Sequence, residues 1–260
     1  MDGLNPAFDA TLLSRIEDAG LNASAPPQQR WVDGWLLRLS PGKAKRARCI
    51  NAVADGRMPV TQRLSYCATA FAQAQLPMIV RITPFSLPEG LDAQLAQHGL
   101  RRFDDTRVMV LADLQNEAAP LAPGLAVVPI GLERFAERVG GFRGSPVAQQ
   151  EAHAQRLLAS PVPFHAFGLQ HEGQAVACGQ FAIEDDLVGL YDVFTAEHAR
   201  GRGLAGSLCS QLLAQARQHG ARHAYLQVET DNAAARAVYR RLGFTDAYAY
   251  HYRTEDSSTA

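Results

Sequence analysis

The residues with the clearest chemical potential lie in a glycine-rich turn, TAEHARGRGLAGS, at residues 195–207. The turn follows a strand-like run and opens an amphipathic helix. Glycines at 201, 203 and 206 have no side chains that would hold a bulky anion away from the backbone. Free amides at a helix N-terminus and the positive end of the helix dipole favour a phosphate or pyrophosphate there. Taken by itself, the turn is equally typical of a flexible helix start with solvated arginines.

A second segment with chemical potential follows at residues 230–244, TDNAAARAVYRRLGF. Asp231 or Asn232 can cap the helix that starts there. One face of that helix is formed by side chains at i, i+3, i+4 and i+7, namely Ala235, Val238, Tyr239 and Leu242. The Tyr239 phenol could donate a proton, although periodicity alone favours a tyrosine packed in the core.

The elements around these segments predict two modules. Residues 115–124, with two prolines and a glycine, form the best candidate linker, so we assign residues 1–116 to an N-terminal module and residues 125–260 to a C-terminal one. The C-terminal module is predicted as strand, helix, a second helix capped by Ser145, a three-strand antiparallel meander, helix, strand, helix and strand. In the N-terminal module we predict two strands, a helix, a strand, a helix and a last strand.

The two modules resemble each other weakly. Superposing Gly99 on Gly243 places Leu95 on Tyr239 and Leu100 on Phe244. The N-terminal copy has no glycine turn, since residues 56–62 read GRMPVTQ, and it has no counterpart of the tyrosine. This order indicates a tandem repeat with a degenerate first copy.

Composition excludes several classes of function. The 260 residues contain 25 Lys and Arg against 26 Asp and Glu, for a net charge of −1, without the basic excess that nucleic-acid binding needs. No run of residues reaches the length of an apolar membrane span, and the first twenty residues do not resemble a secretory signal, so we expect no membrane partner and a cytoplasmic location. The four cysteines form no C-x-x-C pair and no H-E-x-x-H occurs, so we expect no metal site.

With both segments in view, the sequence resembles the GNAT superfamily of N-acetyltransferases. RGRGLA at residues 200–205 fits its R-x-x-G-x-A acyl-CoA signature, and residues 232–244 fit its later N-x-x-A-x-x-x-Y-x-x-x-G-F motif. The resemblance covers residue 125 to about residue 253, roughly half the chain. It implies an α/β (α+β layered) GNAT fold: a mixed, mostly antiparallel central sheet flanked by helices, here as two tandem modules.

The resemblance also implies acetyl-CoA as the acyl donor, bound where the fourth and fifth strands of the fold splay apart. The positions matching the family's cofactor contacts are Val193, Phe194, Thr195, Arg200, Gly201, Arg202, Gly203, Leu204, Ala205, Gly206, Asn232, Ala235 and Tyr239. Tyr239 matches the family's tyrosine and is the candidate proton donor to the departing thiolate. Asp192 and Glu229 are candidate bases for the amine, and neither is preferred.

The resemblance suggests that the acceptor site includes the loop between the first two helices of the C-terminal module, with Phe142 and Arg143 as contacts. A basic run in the N-terminal module, Lys43 to Arg48, is more typical of a solvated turn than of anion or substrate recognition. We expect that module to have structural and acceptor-shaping roles, and the C-terminal half alone to keep acetyl-CoA binding.

These inferences lead to one preferred function and several alternatives. We expect an acyltransferase that moves an acetyl group to a primary amine, most simply of a small molecule, by direct attack in a ternary complex of a monomer or homodimer. A protein or peptide amine as acceptor and a non-catalytic acyl-CoA-binding regulatory module stay open. A nucleic-acid binder that uses the basic run ranks last.

Overall fold

The structure of the protein, a computed structural model, describes residues 3–115 and 118–255. Its N-terminal half contains α1 (Ala10–Ala23), β1 (Gln29–Val32), β2 (Trp35–Arg38), β3 (Ile50–Ala52), α2 (Val60–Gln73), β4 (Val80–Ile82), α3 (Leu91–Gln97) and β5 (Arg101–Leu111). Its C-terminal half contains β6 (Leu125–Ile130), α4 (Leu132–Arg143), α5 (Val147–Leu158), β7 (Phe164–His171), β8 (Gln174–Glu184), β9 (Leu187–Thr195), α6 (Leu204–Gln218), β10 (His223–Glu229), α7 (Ala233–Arg241) and β11 (Thr245–Thr254).

The strands form one mixed sheet in the order β1-β2-β3-β4-β11-β5-β10-β9-β8-β7-β6. Neighbouring strands are antiparallel except for β3–β4 and β9–β10, which are parallel. This confirms the predicted mixed, mostly antiparallel sheet flanked by helices. Parallel neighbours need a crossover connection, and α2 and α6 supply it in the two halves.

The two halves exchange their last strands. β5, from the N-terminal half, lies between β10 and β11 of the C-terminal half, where Met109 is opposite Leu226. β11 in turn lies between β4 and β5, where Tyr252 is opposite Arg81. The division of the chain into modules of residues 1–116 and 125–260 stays a prediction. In the structure, the backbone hydrogen bonds of one sheet join the two halves.

Helices cover both faces of the sheet. The α6–α7 face buries a cluster that includes Leu208, Leu212 and Val228, and α2 and α3 pack on an adjacent cluster of the N-terminal half. On the opposite face α4 and α5 pack with Phe135 and Leu157, and α1 packs beside them on β5, β9, β10 and β11. Successive side chains of a strand point to opposite faces of the sheet, so alternate residues of each strand pack on the two faces.

The internal repeat is visible in the backbone at the end of α3 and of α7. Gly99 and Gly243 both have left-handed φ, +84° and +92°. The amide of Leu100 donates to the Leu95 carbonyl, and the amide of Phe244 donates to the Tyr239 carbonyl, both at 3.0 Å. Each helix therefore ends in the same motif, and the exchanged strand, β5 or β11, follows directly.

Two local features differ from the sequence-based prediction. The helix α1 and the strand β1 were not predicted, although Asp9 caps α1 by accepting from the amide of Leu12 at 3.0 Å. Ser145 was wrongly predicted as the cap of α5: Pro146 occupies the N-cap position, and the Ser145 carbonyl accepts from Gln150 instead. Within the described residues, no helix is long and apolar enough to cross a membrane.

Candidate functional site

The parallel strands β9 and β10 separate at one end, which creates an opening in the sheet. Their pairing runs from Leu187 opposite His223 to Leu190 opposite Leu226 and stops there. Beyond that point the rest of β9 pairs with β8, and the rest of β10 pairs with β5. The strands on either side hold the edges of the opening in place.

A β-bulge shapes the β9 edge of the opening. Gln180 is opposite Tyr191 and Cys178 is opposite Phe194, so two residues of β9, Asp192 and Val193, face a single residue of β8. Asp192 has a left-handed φ of +49°, an uncommon conformation for a residue with a side chain. Asp192 and Val193 have no register partner on β8, and a bulge leaves its extra residue unpaired, so this edge can offer a backbone polar group to a ligand.

A cavity of about 450 Å³ fills the opening and reaches both faces of the sheet. Of the predicted site residues it is lined by Asp192, Val193, Phe194, Glu229, Asn232, Ala235, Tyr239 and Arg143. Thr195 continues β9 past the cavity, and Phe142 contacts it only indirectly, by stacking on the Phe194 ring with centroids 6.2 Å apart. The structure thus brings eight of the seventeen predicted residues to the cavity, whereas the seven residues of the glycine turn, 200–206, are not part of its lining.

The glycine turn lies just beyond the end of β9 and starts α6. Gly201 and Gly203 have left-handed φ of +76° and +75°, and no described atom lies within 4 Å of where a Cβ would be on either. Gly203 is the N-cap, no side chain caps the helix, and its first turn contains no acidic residue. The amides of Leu204, Ala205 and Gly206 precede the first helical hydrogen bond, which the amide of Ser207 makes.

These features fit a diphosphate. The amides are unpaired in the helix, the dipole is positive at this end, and no side chain blocks the approach. The glycines at 201, 203 and 206 also satisfy G-x-G-x-x-G, which dinucleotide-binding turns use for the same purpose. Arg202 is exposed, and Arg200 donates to the Thr195 carbonyl at 3.4 Å, so both guanidinium groups border the turn.

Helix α7 positions Asn232 and Tyr239. The Asn232 side chain accepts from the Ala235 amide at 3.1 Å and thereby caps the helix, so of the two predicted candidates, Asp231 and Asn232, the second is the cap. The Tyr239 ring packs edge-on against Phe244, with centroids 6.1 Å apart, and lines the cavity. Burial raises the pKa of Tyr239 well above that of a free tyrosine, so the phenol keeps its proton at neutral pH.

Asp192 is surrounded by cations. It accepts from Arg143 at 3.0 Å and from Gln180 at 2.9 Å, and His153 Nε2 lies 3.3 Å from its Oδ2. Burial by itself would raise the pKa of Asp192, but the His153 hydrogen bond and the charges of His153, Arg143 and Arg156 hold it well below the ordinary value. A carboxylate of such low basicity is a poor proton acceptor at neutral pH.

Glu229 differs from Asp192 in its surroundings. It ends β10, is exposed and lines the mouth of the cavity. In the described residues it forms no ion pair, so its oxygens are open to water and to a ligand. Of the two carboxylates, Glu229 is therefore better suited than Asp192 to accept a proton.

Sequence reasoning missed how far the N-terminal half enters the site. Ser24 at the end of α1 and Asp104 and Thr106 of β5 line the cavity, next to Tyr250 and Tyr252 of the C-terminal strand β11. A loop between β2 and β3 adds further lining residues, Lys43, Ala44, Lys45 and Arg46. The loop's basic residues were the only signal in the sequence, and a charge run at a turn is usually just solvated.

The N-terminal half has its own equivalent of the opening, which adjoins a cavity of about 350 Å³ but is bridged by a backbone hydrogen bond. There β3 and β4 pair only through Ile50–Val80 and Asn51–Arg81. Beyond them the Leu87 amide donates to the Ala52 carbonyl at 2.8 Å, so the chain itself occupies the edge that is open in β9.

Comparisons with known proteins agree with this geometry. Residues 13–253 match the family described as "Probable histone acetyltransferase Rv0428c C-terminal". The chain is 26% identical over 233 residues to a protein of Bacillus subtilis (strain 168) named "Uncharacterized N-acetyltransferase YobR", covering 86% of this chain and 91% of that protein.

Two solved structures share the fold. A GCN5-related N-acetyltransferase from Kribbella flavida superposes with a TM-score of 0.71 at 18% identity, over 93% of this chain and 94% of that one. A tandem GNAT protein from the clavulanic acid biosynthesis pathway superposes with a TM-score of 0.61 at 16% identity, over 76% and 70%. With nearly its whole described length matched, the chain belongs to the Rv0428c C-terminal family of acetyltransferases and is a GNAT-type N-acetyltransferase.

Proposed function

We propose that the protein transfers an acetyl group from acetyl-CoA to a primary amine of a small molecule, by direct attack within a ternary complex. The observation that carries this proposal is the opening between β9 and β10, with an unobstructed glycine turn at one side and a cavity that crosses the sheet. A donor can enter such a cavity from one face and an acceptor from the other.

The residues around the opening suit acetyl-CoA. When bound, it supplies an activated thioester to the acceptor amine. The unpaired amides of residues 204–206 would hold its diphosphate, and the backbone of Asp192 and Val193, released from the ladder by the bulge, would hold its pantetheine arm. A backbone N–H at the bulge can also stabilise negative charge on the reacting carbonyl oxygen.

Two side chains would manage the protons. The Tyr239 phenol stays protonated because burial raises its pKa, so it can donate to the departing thiolate. The amine must lose a proton before or during attack, and Glu229 is the preferred acceptor, directly or through water. Asp192 would hold Arg143 and His153 in place, since its depressed pKa disfavours a role as base.

A protein acceptor is the second candidate, because the family description names a histone acetyltransferase. The cavity disfavours a lysine-rich tail, since five Lys and Arg side chains line it against three carboxylates: Lys43, Lys45, Arg46, Arg143 and Arg156 against Asp104, Asp192 and Glu229. Positive charge around an acceptor site repels a positively charged peptide.

The test is release of free thiol from acetyl-CoA, followed with and without a panel of small amines and a histone-tail peptide. We expect amine-dependent release and an acetylated small-molecule product by mass spectrometry. Tight binding of acetyl-CoA without thiol release from any acceptor would instead support the non-catalytic acyl-CoA-binding module. Turnover of the peptide alone would support the protein acceptor.

A further inference from the structure

A second cavity, of about 340 Å³, adjoins the first on the α4–α5 face of the sheet. It lies between the β2–β3 loop of the N-terminal half and helices α4 and α5, and we call it the basic chamber. Its lining includes four Lys and Arg side chains but one carboxylate: Lys43, Arg46, Arg143, Arg156 and Asp192. All five also line the first cavity, so the chamber and the opening in the sheet share a wall.

Most of this positive charge is not neutralised by the protein. Asp192, the single carboxylate, is already bound to Arg143. Arg46 donates to the Gln227 side chain and, at 3.5 Å, to the Tyr250 hydroxyl, both uncharged acceptors. Lys43 is exposed and makes no hydrogen bond or ion pair with any residue the structure describes.

Arg156 is a cation of this group without an ion pair to a described residue. It is partly buried, and its only hydrogen bond to a described residue is to the Ala23 carbonyl at 3.4 Å. Burial lowers the pKa of Arg156, and the charge of Asp192 only partly offsets that effect. A buried charge without a close counter-ion is unfavourable unless a ligand supplies one.

The chamber is not placed to serve the diphosphate of acetyl-CoA. The glycine turn starts α6, which packs on the opposite face of the sheet from α4 and α5. None of residues 200–206 lines either cavity. The anion that complements the chamber must therefore enter from the acceptor side.

We propose that the acceptor amine carries an anionic group, a carboxylate or a phosphate, and that Arg46, Arg156 and Lys43 bind this group in the basic chamber. The inference rests on the proposed function and extends it from amines in general to anionic amines. The amine end would lie in the opening beside Glu229 and Val193, and the N-terminal half would select the substrate through its β2–β3 loop.

The experiment compares matched pairs of amines that differ in charge. One pair is β-alanine and β-alaninamide, and the other is 2-aminoethyl phosphate and ethanolamine. Binding to the protein saturated with CoA is measured by calorimetry, which needs no turnover, and kcat/KM is measured separately by thiol release. Because hydrogen bonds to charged groups are strong, we expect the anionic member of at least one pair to bind about tenfold more tightly or better. The pair with the larger ratio identifies carboxylate or phosphate.

Variants assign the effect to the chamber. In Arg156→Gln the ratio of the affinities for the anionic and the neutral amine should fall toward one, mainly because the anionic amine binds more weakly. Arg156→Lys should keep part of the preference. Lys43→Gln, at an exposed residue without contacts, should lower the preference without affecting folding. Arg134→Gln is the matched control, because Arg134 is exposed on α4 and lines neither cavity.

The proposal is overturned if neutral amines bind as tightly as their anionic partners, or if Arg156→Gln and Lys43→Gln both leave the ratio unchanged. Failure of the proposed function has a different signature. A charge preference in the CoA complex without any thiol release would support the basic chamber and remove the acetyltransfer assignment. Equal turnover of neutral and anionic amines would support the acetyltransfer assignment and remove the basic chamber.

Discussion

Tyr239 combines two roles that a single substitution can separate. Its ring packs against Phe244, whereas its hydroxyl lines the cavity and forms no hydrogen bond with a described residue. Tyr239→Phe keeps the packing and removes the proton donor. We expect kcat to fall by about 10²- to 10⁴-fold while the Kd for acetyl-CoA changes little. Unchanged turnover would mean that the tyrosine is only a core residue.

The pH dependence of the same residue gives a second check. Because burial raises the pKa of Tyr239, its acid form persists to higher pH than that of a free tyrosine, whose pKa is about 10. We therefore expect no alkaline loss of kcat from this group below about pH 10. An alkaline limb below that pH which disappears in Tyr239→Phe would contradict the buried environment.

The glycine turn can be tested against a matched glycine elsewhere. Gly203 and Gly220 both have left-handed φ, +75° and +96°, and open space where a Cβ would lie, but they stand at opposite ends of α6. Replacing either by Val strains the backbone to a similar extent. Only Gly203→Val should weaken acetyl-CoA binding in calorimetry. Equal losses in both variants would attribute the effect to strain alone.

At the scale of elements, a buried ion pair fixes α1 to the sheet. Glu17 of α1 pairs with Arg81 of β4, whose side chains are 9% and 2% exposed, and accepts from the Tyr248 hydroxyl of β11 at 2.7 Å. Removing one partner leaves a buried charge, so Glu17→Gln should lower the free energy of unfolding by about 3 kcal/mol. Urea unfolding measures this, with exposed Asp18→Asn as the control.

The pH dependence of that pair has a definite sign. Burial alone would raise the pKa of Glu17, but the ion pair with Arg81 and the Tyr248 hydrogen bond hold it below its ordinary value. A carboxyl group whose pKa is lower in the folded than in the unfolded state stabilises the fold fully at pH values above its unfolded-state pKa. That stabilisation is lost as the pH falls through its folded-state pKa. The difference between wild type and Glu17→Gln should therefore shrink below about pH 4. A difference that grows with acidity would refute the assignment.

At the scale of the whole molecule, the two halves share a sheet, and we expect only the C-terminal half to bind acetyl-CoA. The N-terminal half has Leu95 in place of Tyr239, no glycine turn, and a Leu87–Ala52 hydrogen bond across its own opening. Calorimetry should therefore give one acetyl-CoA site per chain. Two equivalent sites would mean that the first module is not degenerate.

Strand exchange also changes the expectation for an isolated C-terminal half. Residues 121–260 lack β5, which pairs with both β10 and β11, so the fragment would expose two strand edges beside the site. We expect it to be insoluble or to have lost acetyl-CoA binding, because unpaired edges aggregate. A soluble, monomeric fragment with full affinity would show that β5 is dispensable.

The sequence by itself determined the features that short-range rules control. The glycine turn, a helix cap at Asp231 or Asn232 and the helix face with Tyr239 depend on neighbours within about one or two helical turns. Such features are set by backbone sterics and local hydrogen bonds, so residue types and spacing predict them. The resemblance of the two motifs to those of GNAT enzymes implied the acetyltransferase family and the mixed, mostly antiparallel sheet.

Only the tertiary structure decided which distant residues meet. The exchange of β5 and β11, the cations around Asp192 and the basic chamber join residues separated by tens to hundreds of positions. Arg46 and Arg156 illustrate this: a charge in the sequence is consistent both with a solvated surface position and with a binding site. Its partners and its burial determine which of the two it forms, and both depend on how the whole chain packs.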